Sequence, residues 1–143
     1  LALAPIGAYI AVTGKFELLP LLFSFIVLTW VSGFDIIYAL QDEEFDRSQK
    51  LHSIPVLLGK KGALKLSEAL HIICFVLILM AGWMGNFSFF YWAGALLFGS
   101  LLFYQHSIVK PNDLSRVNLA FFTTNGIGSV MFAICVICDL FLL

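Results

Sequence analysis

Three carboxylates at regular spacing are the residues of this chain best suited to chemistry. Asp35, Asp42 and Asp46 lie seven and four residues apart. At about 100° per residue, a continuous helix would place them at roughly 0°, 340° and 20°, with Tyr38 at roughly 300°. Carboxylates clustered in this way repel one another unless a cation or protons neutralise them. Because Mg²⁺ takes one or two carboxylates together with waters and phosphate oxygens, the stripe predicts a Mg²⁺ site that binds a phosphorylated substrate.

The position of these acids supports a functional site. An apolar run begins near Leu18, and Asp35 lies inside it. Charged side chains at a membrane boundary are costly to desolvate and usually mark function. We therefore predict Asp42 and Asp46 as the metal ligands. Asp35 could contact the metal or the substrate, or it could be a buried, hydrogen-bonded structural acid.

Polar and basic side chains beside the acids could contact the phosphate groups. Tyr38 could donate a hydrogen bond to a phosphate oxygen, and the alternative is an interfacial aromatic. Arg47 and Lys50 follow the acids, where a cation would stabilise charge on a leaving diphosphate. Glu43 and Glu44 lie off the stripe and are predicted to be solvated. The predicted substrate-binding residues are Asp35, Tyr38, Arg47 and Lys50.

The composition is that of an integral membrane protein. Of the 143 residues, 61% are hydrophobic and only 12% are charged, and the mean hydropathy is +0.98. A soluble domain would be nearer to half apolar and a quarter charged. A net charge of −1 without a basic stripe argues against a nucleic-acid-binding protein.

Four stretches are long and apolar enough to cross a membrane, which takes about 20 residues. They cover approximately residues 18–40, 63–84, 87–104 and 119–142. Residues 1–13 are too short to span and are predicted to be the end of a helix that begins outside this chain. With no initiator Met, we expect the chain to be the C-terminal portion of a longer protein. The predicted fold is a single all-α transmembrane bundle covering residues 1–143.

The basic residues predict the orientation of the bundle. By alternation, the polar segments 41–61 and 105–118 lie at one end and the short connector 83–88 lies at the other. Counting Lys65, seven of the eight Lys and Arg residues lie at the end that carries the acids, and only Lys15 lies opposite. The positive-inside rule makes the acidic end cytoplasmic, in the inner membrane of the cell.

The other polar residues of the predicted spans give weaker signals. His106 stands alone at the end of the third span and is predicted to be structural. Asn125 is predicted to form hydrogen bonds between helices. Cys135 and Cys138 form a CxxC pair, but they lie in an apolar span without a second ligand pair, so small apolar packing is the better explanation.

Three segments in the same order resemble a known family. Residues 33–46 (GFDIIYALQDEEFD) resemble the second aspartate-rich motif of the UbiA superfamily of intramembrane prenyltransferases. Residues 51–59 are similar to the stretch that follows that motif. Residues 114–126, together with 104–107, resemble the branch that prenylates 4-hydroxybenzoate. The resemblance covers nearly the whole chain.

The resemblance implies a nine-helix bundle with a central cavity open towards the lipid. Two aspartate-rich loops on the cytoplasmic side would hold Mg²⁺ and the diphosphate of an isoprenoid donor. Asp42 and Asp46 match the metal-binding pair of the second motif, and Asp35 and Tyr38 match its upstream polar positions. The first motif, of the NDxxDxxxD kind, is absent from this sequence. The implied partner is an N-terminal half of the same protein, without which we expect no activity.

The expected activity is Mg²⁺-dependent transfer of a polyprenyl group from a polyprenyl diphosphate to an aromatic acid, 4-hydroxybenzoate, in ubiquinone biosynthesis. An alternative acceptor is a naphthoate in menaquinone biosynthesis. An alternative of another class is an ion-coupled membrane transporter with Asp35 as the coupling site, which predicts acids near the bilayer midplane on broken helices. A phosphatidyltransferase would carry a DGxxAR-like motif, and this sequence has none.

Overall fold

The chain folds as a bundle of α-helices in a computed structural model that describes residues 1–142. The helices are α1 (Ala4–Thr13), α2 (Leu18–Ala39), α3 (Glu43–Ser48), α4 (Ile54–Met84), α5 (Phe89–Ile108) and α6 (Asn125–Leu142). A 3₁₀ turn, Leu40–Asp42, precedes α3, and a π-helical turn, Leu119–Thr124, precedes α6. No strand forms within residues 1–142, so the predicted all-α class is confirmed.

Three helical segments of the described chain are long and apolar enough to cross a membrane. They are Leu18–Ser48, Ile54–Met84 and Leu119–Leu142. These three segments overlap three of the four predicted spans. The fourth predicted span, residues 87–104, is occupied by α5, which is not one of the three. Large apolar side chains point outward along the bundle, such as Leu96 at 70% and Phe103 at 80% exposure. The membrane bundle is confirmed, and the number of crossings stays a prediction.

The predicted polar loop at residues 41–61 is wrong, because most of it is helical. After the 3₁₀ turn it contains α3 and the first turns of α4, which begins at Ile54 rather than at residue 63. Pro55 favours a helix start there, since its fixed φ suits the first helical turn. Gly59 has φ 67° and ψ 165°, a conformation that glycine adopts readily and other residues rarely adopt. It kinks the helix just before Lys60 and Lys61.

Small residues let α2 and α4 pack closely. The hydroxyl of Ser67 donates to the carbonyl oxygen of Gly33 at 2.6 Å. A Cβ atom on Gly33 would clash with Nε2 of His71, so the close approach of the two helices requires glycine at this position. Such contacts are typical of membrane helices, whose association depends on packing and interhelical hydrogen bonds. The core between α2, α4 and α5 is formed by Leu22, Ile26, Cys74, Ile78, Ala81, Tyr91, Ala95, Phe98 and Leu102.

The buried carboxylate of Asp139 in α6 caps the N-terminus of α5. It accepts hydrogen bonds from the backbone N–H of Ser88 at 2.7 Å and of Tyr91 at 3.0 Å. A carboxylate satisfies the free N–H groups of a helix start and interacts favourably with the helix dipole. The hydroxyl of Tyr91 in turn donates to the carbonyl oxygen of Ile78 at 2.7 Å. These bonds tie α4, α5 and α6 together at the end opposite the aspartates.

Candidate functional site

The predicted acidic stripe is divided by a change of helix. α2 ends at Ala39, and Asp42 closes the 3₁₀ turn with φ −96° and ψ 2° before α3 begins. Since a 3₁₀ helix advances about 120° per residue rather than about 100°, three such residues rotate the following side chains by roughly 60°. The three acids then fall at roughly 0°, 40° and 80°, so the band is broader than predicted but stays on one side of the helical run Leu18–Ser48.

The carboxylates of the three predicted aspartates are accessible. Asp35 and Asp42 are exposed and Asp46 is half-buried. None of them has a side-chain hydrogen bond or ion pair within residues 1–142. The alternative for Asp35, a buried and hydrogen-bonded structural acid, is thus wrong for this chain.

These free oxygens fit the donor set that Mg²⁺ prefers. Across residues 1–142, no three His, Cys, Asp or Glu side chains are arranged to hold a metal by themselves. A Mg²⁺ ion at Asp42 and Asp46 would therefore complete its shell with waters and phosphate oxygens, as this ion usually does.

Asp35 lies apart from the other two acids, along the interface of α2 and α4. It lines a cavity of about 560 Å³ whose other walls are Ser32, Ile36, Ala39, Ile54, Pro55, Leu66 and Leu70. Most of these side chains are apolar. The position suits contact with an apolar substrate or its polar head better than a shared metal shell.

Glu43 is buried, contrary to the prediction that it is solvated. Glu43 is only 8% exposed, and its Oε1 accepts a hydrogen bond from Nη2 of Arg47 at 2.6 Å. Its Oε2 lies 4.0 Å from Nζ of Lys60 in α4. Glu43 therefore holds Arg47 and joins α3 to α4. The i, i+4 spacing of Glu43 and Arg47 is the sequence signal that could have indicated this pair.

Tyr38 packs against the start of the last helical segment. Its ring lies 4.3 Å from that of Phe121 and 6.4 Å from that of Phe122, centroid to centroid. Phe34, one turn earlier on α2, meets Phe121 at 5.3 Å. An aromatic cluster thus joins α2 to the π-helical turn beside the aspartates, and the Tyr38 hydroxyl has no hydrogen-bond partner within residues 1–142.

Lys50 closes α3 in a left-handed conformation with φ 54°. Its N–H bonds to the carbonyl oxygen of Arg47 at 3.2 Å, and the next N–H, of Leu51, bonds to that of Asp46 at 2.9 Å. This pair of bonds is the Schellman motif, in which glycine is usual. A lysine there costs about 1 kcal/mol of backbone strain, and it places an exposed cation directly after the acids.

A pair of histidines is the polar cluster that sequence analysis missed. Nδ1 of His71 lies 2.8 Å from Nε2 of His106, and Nε2 of His71 lies 3.2 Å from the carbonyl oxygen of Trp30. His106 was predicted as a lone structural residue, but it has a partner 35 positions away in the sequence. Nothing local in the sequence indicates this contact.

Comparison with known proteins identifies the family of the chain. Residues 1–127 match the model of the UbiA prenyltransferase family. The chain belongs to this family. The match contains all six predicted site residues of the UbiA chain, from Asp35 to Lys50, and it also contains the paired His71 and His106.

Several bacterial proteins named 4-hydroxybenzoate octaprenyltransferase are similar to this UbiA-family chain. That of Tolumonas auensis is 26% identical over 88% of the chain and 44% of the relative. That of Cronobacter sakazakii is 28% identical over 87% of the chain and 43% of the relative. That of Xanthomonas campestris is 27% identical over 90% and 42%. The chain thus spans less than half the length of these relatives. No solved structure matches it significantly.

The structure brings the predicted residues together in two groups. Asp42, Asp46, Arg47 and Lys50 lie on the 3₁₀ turn, α3 and its end, within nine consecutive residues. Tyr38 and Asp35 lie on the last turns of α2, with Tyr38 directed to Phe121 and Asp35 lining the α2–α4 cavity. The whole set occupies one end of the bundle.

Proposed function

We propose that the chain forms part of an active site that transfers a polyprenyl group from a polyprenyl diphosphate to an aromatic acid. The observation that carries the proposal is the pair of accessible, unpartnered carboxylates, Asp42 and Asp46, within the part of the chain that matches the UbiA family. The names of the relatives, which specify 4-hydroxybenzoate as acceptor and an octaprenyl group as donor, support the reaction class.

Asp42 and Asp46 would hold Mg²⁺, which would neutralise the diphosphate and make it a better leaving group. Arg47 and Lys50 add positive charge beside it, where charge develops on the departing diphosphate. Glu43 keeps the guanidinium of Arg47 in place while leaving much of it open, since the Arg47 side chain is 63% exposed. The hydroxyl of Tyr38 is free to donate to a phosphate oxygen.

The apolar part of the bundle would protect the reactive intermediate. As the allylic C–O bond breaks, the electron pair leaves with the diphosphate and the prenyl carbon becomes cationic. A ring carbon of the aromatic acid, ortho to its hydroxyl, then forms the new C–C bond, and loss of the ring proton restores aromaticity. Water would capture the cation, so it must be excluded. The aromatic cluster of Phe34, Tyr38 and Phe121 would offer ring faces to stabilise the positive charge.

The acceptor, the partner and the orientation belong to the same proposal. The acceptor is 4-hydroxybenzoate, as in ubiquinone biosynthesis, with a naphthoate as the alternative. The site is completed by an N-terminal half that supplies the first aspartate-rich motif, and the aspartate end faces the cytoplasm across the inner membrane. Membership of the family favours this reaction over ion-coupled transport.

A transfer assay on the full-length membrane protein tests the metal ligands. Membranes are given polyprenyl diphosphate and either 4-hydroxybenzoate or a naphthoate, with Mg²⁺ or with EDTA, and products are quantified by mass spectrometry. Asp42→Asn and Asp46→Asn should each lower the rate by about 100-fold or more, because the metal supplies several kcal/mol of charge stabilisation. EDTA should have the same effect.

Glu44→Gln is the matched control, since it removes one exposed carboxylate from the same segment. It should leave the rate within about twofold, because exposed charges contribute little. Full activity of both aspartate variants, or activity in EDTA, would end the metal assignment. Product from the naphthoate alone would overturn the choice of acceptor.

A further inference from the structure

A second cavity lies between α4 and α5, and none of the three aspartates lines it. It has a volume of about 560 Å³, within the range of small-molecule sites. Its walls include the apolar side chains Ile72, Phe75, Val76, Leu102 and Phe103. Polar groups line it as well, namely Glu68, His71, His106, Ser107 and Lys110. We call this cavity the α4–α5 groove.

The groove and the Asp35 cavity lie on opposite sides of α4. Ser67 marks the side that faces α2, through its hydrogen bond to Gly33. At about 100° per residue, Leu66 and Leu70 of the Asp35 cavity lie roughly 60–100° to one side of Ser67. Ile72 and Phe75 of the groove lie roughly 80–140° to the other side. The groove is therefore a separate site.

The hydrogen-bond chain at the histidines shows which ring nitrogen is free. With both imidazoles neutral, Nε2 of His71 must donate to the carbonyl oxygen of Trp30, which can only accept. Nδ1 of His71 is then an acceptor, so Nε2 of His106, 2.8 Å away, must donate to it. The amide of Gln105 also approaches that acceptor, at 3.4 Å. Nδ1 of His106 is left as an acceptor without a partner in the described chain.

The histidine pair is a built site rather than a chance surface feature. His71 is 3% exposed and Gln105 is fully buried, so packing fixes the ring from which the chain starts. The glycine at position 33 is required for the same ring to fit. A ligand group that donates one hydrogen bond would complete the chain at His106.

We propose that the α4–α5 groove binds an alkylated phenol, whose hydroxyl donates to Nδ1 of His106 and whose ring and chain lie against the apolar walls. Phe75 and Phe103 offer aromatic surfaces for the ring. An anionic lipid head fits less well, because the carboxylate of Glu68 offsets the charge of Lys110. The binding does not depend on the proposed transfer reaction.

Photolabelling of the full-length membrane protein in lipid nanodiscs tests the binding. The probe is 4-nonylphenol with a diazirine in its alkyl chain, and the matched probe is its methyl ether, which cannot donate. Neither Mg²⁺ nor a diphosphate is present. Mass spectrometry should find the phenol on residues 72–76 and 99–103, at roughly five times the level of the ether, the factor that one neutral hydrogen bond contributes.

Variants separate the hydrogen bond from the shape of the groove. His106→Phe should lower phenol labelling to the level of the ether. Ile72→Trp should block both probes by filling the groove, at a residue that is 59% exposed and so tolerates the change. Ser100→Ala, an exposed hydroxyl on α5 that bonds to its own helix, should change nothing. Circular dichroism confirms that each variant is folded.

Three outcomes would overturn the proposal. The first is equal labelling by phenol and ether at these residues, and the second is labelling found only elsewhere. The third is loss of the phenol signal when anionic phospholipid replaces zwitterionic phospholipid in the nanodiscs, which would make the groove a lipid-head site. Because the labelling needs neither Mg²⁺ nor a diphosphate, the probe should label the Asp42→Asn variant as strongly as the unmodified protein. Failure of the prenyl-transfer proposal and failure of this one therefore give different results.

Discussion

At the scale of single residues, Glu43 has the best-defined surroundings of the carboxylates near the site. Asp42 and Asp46 remain free, while Glu43 between them is buried and contacts both Arg47 and Lys60. Neighbouring acids in one sequence run therefore have different roles. The free pair suits a metal ion, and the buried acid positions a cation and anchors the short helix that carries Asp46.

Replacing Glu43 by glutamine tests this positioning role. Glu43→Gln keeps the shape and removes the charge, so Arg47 and Lys60 lose their partner. We expect the unfolding free energy to fall by about 1 kcal/mol, because one charge-assisted bond is lost and Arg47 is largely exposed. In the transfer assay, KM for the diphosphate should rise more than kcat falls.

The matched control is again Glu44→Gln, whose carboxylate makes no ion pair in the described chain. Thermal unfolding in nanodiscs gives the stability change, and steady-state kinetics give KM and kcat separately. If the Glu43 and Glu44 variants behave alike in both measurements, Glu43 has no positioning role.

At the scale of helices, the site depends on how closely α2 packs against α4. Asp35 and Tyr38 lie on the last turns of α2, and the α4 helix supplies both Lys60 and His71. The contact of Gly33 with the His71 ring sets the separation of the two helices. A larger residue at position 33 would move α2 or displace the His71 ring. Either movement would shift Asp35 and Tyr38 relative to α4.

Gly33→Ala is therefore expected to destabilise the bundle by about 1–3 kcal/mol, the usual cost of overpacking a tight contact. Gly7→Ala is the control, since a Cβ on Gly7 in α1 meets nothing within 4 Å. Alanine in an open helical position should be neutral or stabilising by about 0.5–1 kcal/mol. Chemical denaturation in detergent would measure both. Equal stability of the two variants would contradict the close packing.

At the scale of the whole molecule, the bundle has two unlike ends. One end carries the aspartates, the aromatic cluster and seven of the eight basic residues, and the other carries the Asp139 cap and the short α4–α5 connection. The chain spans less than half the length of these relatives, and many of its large apolar side chains are exposed on the bundle.

Cysteine labelling from each side of the membrane tests the proposed orientation. In a chain without its native cysteines, Lys50→Cys should react with an impermeant maleimide only in inside-out vesicles, because its end is proposed to face the cytoplasm. Lys15→Cys, at the other end, should react only in right-side-out vesicles. The reverse pattern would place the aspartates on the outer face.

Much of the fold could be predicted from the sequence, because hydropathy and residue type act locally. The long apolar runs predicted the helices at residues 18–39 and 119–142 within a few residues. The membrane class, the family and the positions of the acids came from the same local patterns. The error at residues 41–61 arose because polar helices outside the apolar runs lack a hydropathy signal.

Only the tertiary structure decided which side chains meet. His71 and His106 are 35 residues apart, and Asp139 and Ser88 are 51 apart, so their pairing depends on the rotation and register of packed helices. The burial of Glu43 likewise depends on where α3 rests against α4. The sequence of a single helix does not indicate these contacts, because each contact is formed with a residue on a neighbouring helix.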